Sequence, residues 1–202
     1  MASAARSNQQ SPSQLDRFVS SVAAIATAVT AGLAEATLFF IVPDVLLTLL
    51  ACRALRPALK ATVAALAGAM IGGAIMCALG GGSPDYARSL LDHVPGINPS
   101  LISSVETQIR EQGLIAMMLG PIKGIPYKIY AVEWGARRGS FFSFLLASIP
   151  ARGTRFLLAA AGARAIARLI EPLTRHRART EMLLLALFWV VLYSFYFARF
   201  GW

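Results

Sequence analysis

From Ala61 to Leu79 the chain carries no charged residue. An α-helix needs about 20 such residues to cross the hydrocarbon of a bilayer. No other feature limits the fold as strongly, because a run that is apolar on all sides must sit in lipid or in a large core. Composition decides between the two. Of 202 residues, 56% are hydrophobic and 14% charged, and the mean hydropathy is +0.61, whereas a soluble domain carries about 25% charged residues. A disordered chain, a collagen-like chain and a typical soluble enzyme are excluded. The expected class is an all-α integral membrane protein.

The net charge of +9 arises from 19 Lys and Arg against 10 Asp and Glu. The excess lies largely between apolar runs, where basic residues set membrane topology, so no nucleic acid partner is expected. Cys52 and Cys77 lie in apolar contexts without metal or redox spacing. They read as small residues tolerated among apolar neighbours, and no metal or cofactor is expected.

Residues 1–17 read as a disordered polar tail. Residues 18–163 read as one membrane domain. Its first apolar run, Phe18–Ala31, is short for a span. Arg17 before it also fits a signal peptide, but the apolar character continues through Leu50. The stretch 33–53 is apolar yet holds Glu35, Pro43 and Asp44. Proline removes a backbone donor, carboxylates are expensive in lipid, and irregular backbone survives at membrane depth only where protein buries it. Two half-helices forming a re-entrant hairpin fit these residues.

The stretch 113–134 repeats the broken pattern around Pro121, Lys123, Pro126 and Lys128. Spans are expected at 61–79 and 140–163, the second carrying Pro150, Arg152 and Arg155 near its middle. Pro43, Pro121, Pro126 and Pro150 are the candidate breaking residues. Between the spans, 80–112 is hydrophilic, with a short helix opening at Asn98-Pro99-Ser100. Residues 164–180 read as a basic interfacial helix, and 181–202 as a C-terminal transmembrane helix with aromatic residues for the interface.

The two broken segments share spacing from proline to basic pair to new helix, which points to an inverted-repeat arrangement. The basic segments 53–60 and 164–179 are placed in the cytoplasm. The segment 80–112 then lies outside, with Arg137 and Arg138 beside it, where lipid phosphates would attract them. Gly68 and Gly72 form a G-x-x-x-G pattern that allows another helix to approach closely.

Charges inside apolar segments are candidate functional residues. Arg152 and Arg155, with Lys128 and Lys123, are candidates for binding a lipid phosphate, since arginine stays charged and forks onto such groups. Snorkelling towards the interface is the plainer reading of the two lysines. Glu35 and Asp44 would balance the cations or couple to protons; structural ion pairing is the simpler alternative. No histidine sits in an apolar span, no G-x-S-x-G elbow surrounds Ser140 and no phosphate loop is present. An enzyme is therefore not expected.

Three motifs carry a family resemblance: Ile125-Pro126-Tyr127-Lys128, Phe144-Leu145-Leu146-Ala147-Ser148, and Ala151-Arg152-Gly153-Thr154-Arg155-Phe156. The segment resembles the second half of the DedA family, membrane proteins with a VTT or SNARE-associated domain, and is most similar to its YqaA-like branch. Glu35 through Pro43-Asp44 resembles the first hairpin. The likeness extends over about 33–163. It implies two opposed re-entrant hairpins and flippase- or scramblase-like movement of phospholipid or polyprenyl phosphate between leaflets, coupled to protons in bacterial members. Carried over, it assigns functional roles to Glu35, Asp44, Arg152 and Arg155. Asp44 stands alone where many members have a further acid, and Lys123 stands near where they have arginine. The expected setting is the inner (plasma) membrane, multi-pass, with anionic lipid headgroups as partners and a homo-oligomer as an option. A small-ion or solute transporter and a non-transporting scaffold are the alternatives.

Overall fold

The computed structural model describes residues 14–19, 21–40, 42–120, 124–173 and 177–200. In chain order the helices are α1 (Gln14–Val19), α2 (Val22–Ala36), α3 (Asp44–Arg53), α4 (Leu55–Gly82), α5 (Pro84–Asp92), α6 (Pro99–Gln112), α7 (Leu114–Leu119), α8 (Tyr127–Ala136), α9 (Phe141–Ile170) and α10 (Arg177–Phe200), with a 3-10 turn at Glu171–Leu173. No strand occurs among the described residues. Three described helices, α4, α9 and the 180–199 part of α10, are long and apolar enough to cross a membrane. Val63 and Ile71 on α4, Phe142 and Leu158 on α9, and Leu183 and Val190 on α10 are exposed, which suits a lipid surroundings and would be a liability in water.

The small residues of α4 place it at the centre. A Cβ on Gly68 would sit 2.0 Å from the Val29 carbonyl oxygen, and one on Gly32 would sit 2.1 Å from that of Ala65. The α2 and α4 backbones therefore touch, as small residues permit in membrane helices. On the other side, a Cβ on Gly80 would lie 2.2 Å from the Val132 oxygen, and one on Gly135 would lie 1.9 Å from that of Cys77. The Gly68/Gly72 face is thus filled by α2 of the same chain, which leaves it no room for a second copy.

The helix interruptions fall where proline was expected to put them. α2 ends at Ala36 and α3 starts at Asp44 with Pro43 as its N-cap residue. Pro126, at φ −63° and ψ 131°, is the extended N-cap of α8. Pro150 behaves otherwise. Expected among the breaking residues, it lies exposed inside an unbroken α9. A single missing N–H removes one hydrogen bond, and the helix on both sides is anchored by buried Phe144, Ser148, Arg152 and Phe156. α9 also continues past Ala163 to Ile170, so 164–170 extend the span's own helix instead of opening a separate interfacial one. Pro121 and Lys123 lie outside the described residues.

Between the long helices, α5 and α6 form a cap. Asn98 caps α6 by accepting from the Leu101 N–H at 2.8 Å, and Pro99 takes the first helical position, where no N–H is needed. Ile102, Val105 and Ile109 are buried on one face of α6.

Candidate functional site

Five charges named from the sequence meet where α2, α3, α8 and α9 converge. Glu35 is 3% exposed, Asp44 2%, Lys128 2% and Arg152 1%. Burial this deep demands partners, since an unpaired charge in a low dielectric is heavily penalised. Arg152 donates through both terminal nitrogens to the two carboxylate oxygens of Glu35, the Nη1–Oε1 distance being 3.2 Å. Its guanidinium also lies 4.8 Å from the Tyr127 ring centre and 4.9 Å from that of Phe156. Tyr127 is fixed in turn by donating to Ser148 Oγ at 2.7 Å. Arg152 is thus held by Glu35 and two rings, while its buried Nε has no hydrogen-bond partner.

Arg155 differs. It donates to Asp44 Oδ2 at 2.7 Å, but its side chain remains 31% exposed. Asp44 Oδ1 is buried with no hydrogen-bond partner. Lys128 donates to the Phe39 carbonyl oxygen, a main-chain acceptor released by the break after α2. The two interrupted stretches therefore meet, the start of α8 against the tip between α2 and α3.

A groove of about 620 Å³ opens beside this cluster, between α3, α9 and α10. Glu35, Asp44, Lys128 and Arg155 form its charged inner wall and Glu181 of α10 also lines it, while Leu158, Ile166, Leu184, Phe188 and Trp189 are among its apolar lining. Its α9 wall runs from Arg155 to Ile170, or about 22 Å at 1.5 Å per residue. Arg152 is not part of that lining. The chemistry available is that of a cationic group at the inner end of an apolar trough. No group of three or more His, Cys, Asp or Glu that could hold a metal occurs among the described residues.

Compared with protein families, with curated proteins and with solved structures, the chain matches none.

Some contributors were not singled out from the sequence. Glu133 is wholly buried on α8 and receives Arg88 of α5 through two bonds, at 2.8 and 2.6 Å. The Glu133 carboxylate holds the Arg88 guanidinium above its ordinary pKa. This fork ties the cap to the helix that carries Lys128. Glu133 stands in an apolar stretch, Ile129–Trp134, so the signal that flagged Glu35 was present there too. The aromatic wall of α10, Trp189, Tyr193 and Tyr196, reads from sequence as an interfacial belt and gave no sign that it faces a groove.

Proposed function

We propose that this protein moves lipids with anionic headgroups between bilayer leaflets, and that the groove between α3, α9 and α10 is their path. One observation carries the reading: an apolar trough into which Arg155 keeps an accessible cationic side, among helices whose outer faces suit lipid. The headgroup would engage Arg155 and Lys128 while the chain lies along α9 and α10. Glu35, Asp44 and Glu181 stand against Lys128 and Arg155 in the lining, so the attraction for an anion would rest on Arg155, whose side chain stays 31% exposed. A charge-assisted bond to phosphate is about twice as strong as a neutral one, and it replaces hydration that the headgroup loses on leaving water.

In this reading α2–α3 and α7–α8 are two re-entrant hairpins of an inverted repeat, as the DedA resemblance implies. Helix lengths support it. α2 has 15 residues, α3 and α8 have 10 each, and α7 has 6; at 1.5 Å per residue none reaches the ~30 Å of a hydrocarbon core. The meeting of Lys128 with Phe39 supports it as well, because two hairpin tips would touch at mid-depth. The proposed setting is multi-pass in the inner membrane, with the basic segments at 53–60 and 164–179 on the cytoplasmic side. Arg152 and Glu35 form the frame in this account, and Arg155 is the residue that meets the headgroup.

The test is leaflet exchange in liposomes, with fluorescent phosphatidylglycerol quenched from outside. The parent protein is expected to exchange the probe, and Arg155→Ala, compared at equal amounts of folded protein because it leaves buried Asp44 unpaired, to slow exchange at least tenfold. Equal rates in parent and variant would overturn the reading.

A further inference from the structure

The interruption at 37–43 frees main-chain groups from helical bonding, and lipid offers them no partners. The Val42 N–H is met by Tyr193 Oη of α10, at 3.0 Å and 151 positions away in the sequence. Tyr193 brings an oxygen to that donor. Arg155, whose guanidinium would attract an anionic oxygen, belongs to the same groove wall. The N-terminus of α3 begins two positions on, at Asp44. A hydroxyl oxygen thus occupies a position suited to a headgroup oxygen.

α10 is the least embedded of the long helices. Only 6% of its apolar window is buried, against 44% for α4 and 39% for α9. Three of its hydrogen bonds share one face: Trp189 donates to Thr48 Oγ1 at 3.1 Å, Tyr193 accepts from Val42, and Tyr196 donates to the Gly96 oxygen at 3.4 Å. Positions 189, 193 and 196 follow the i, i+4, i+7 spacing of a single helical stripe. Beneath that stripe lie Asp44, Thr48 and Cys52 of α3.

We propose that the Val42 N–H is a headgroup-binding donor whose place is held by the Tyr193 hydroxyl, and that α10 is a removable wall displaced when a lipid enters sideways. The assignment of the donor rests on the lipid-transport reading above; the removable wall does not. Exchange is favoured because a charged oxygen binds an N–H more strongly than a phenol does.

Cys52 reports on the wall. It lines the groove and is 8% exposed, and it forms no disulfide. The second thiol, Cys77, is removed by Cys77→Ala. The full chain is reconstituted in vesicles of phosphatidylcholine and phosphatidylglycerol, and Cys52 is labelled with a membrane-permeant maleimide. Tyr193→Phe keeps the ring, which lies 6.1 Å from Phe40 and 6.4 Å from Phe197, and deletes the hydroxyl. Labelling is expected to rise about fivefold, the shift set by losing one hydrogen bond, and leaflet exchange to rise with it. Trp189→Phe should act in the same direction, which guards against a folding defect in the first variant. Unchanged labelling in both well-folded variants would overturn the removable wall. Faster labelling without faster exchange would keep the wall and overturn Val42 as a lipid donor.

Discussion

Replacing Arg152 by methionine separates frame from path. The change keeps the length of the side chain and removes its charge. Glu35 is then left 3% exposed without the guanidinium that donates to both of its oxygens. Removing one partner of a buried pair costs about 3–5 kcal/mol. Lys128 and Arg155 also act on Glu35, which holds the loss near the lower limit, about 3 kcal/mol. Loss of the two ring contacts to Tyr127 and Phe156 adds about 1 kcal/mol. A total of about 4 kcal/mol is a large share of the 5–15 kcal/mol typical of a whole fold. The double variant Glu35→Leu/Arg152→Met removes both members of the fork and should recover part of the loss, since apolar replacement of a buried pair is often neutral while Lys128 keeps the Phe39 oxygen as its acceptor. Unfolding by sodium dodecyl sulfate in mixed micelles, followed through tryptophan fluorescence, measures all three proteins. A single variant within 1 kcal/mol of the parent, or a double variant as unstable as the single, would refute the assignment of Arg152 to the frame.

Two further perturbations follow from the same packing. Gly68→Ala forces a methyl against the Val29 oxygen and should lower stability by about 1–3 kcal/mol, whereas Gly162→Ala meets nothing within 4 Å and should be neutral or stabilising by up to about 1 kcal/mol; thermal melting in detergent compares them. Glu133→Gln should loosen the cap and quicken trypsin cleavage within 84–112. Because Glu133 raises the Arg88 pKa, the pair's contribution is complete below the ordinary arginine range and is lost only above the raised value. Cap protection should therefore persist on alkaline titration past the lysine range near 10.4, and loosening before that point would contradict it.

Much of the frame was legible in the sequence because lipid imposes simple rules. An uncharged run such as 61–79 has few fates, and Pro43 with Asp44 inside an apolar stretch forces an interruption. The acids at 35 and 44 and the arginines at 152 and 155 stood out for the same reason. Their pairing did not. Sequence spacing cannot tell that Arg152 spends both nitrogens on Glu35 while Arg155 retains an open side. Pro150 misled because proline alone does not end a helix whose flanking turns are packed. The boundary at Ala163 misled because Arg164 changes the polarity of the chain without changing its backbone; its Nη1 donates to the Cys52 oxygen at the end of α3, at 3.0 Å. The role of α10 was hidden most deeply, since a groove-facing stripe of Trp189, Tyr193 and Tyr196 has the composition of an ordinary interfacial belt.

The most direct measurement of the central claim is where a lipid sits in the reconstituted protein. A phosphatidylglycerol with a photoreactive group in its chain is incorporated, irradiated, and its adducts mapped by mass spectrometry. The account predicts adducts on the groove lining, at Leu158, Ile166 and Trp189, that fall sharply in Arg155→Ala. Adducts confined to outward residues such as Val63, Ile71 and Val190, and unaffected by Arg155→Ala, would contradict it.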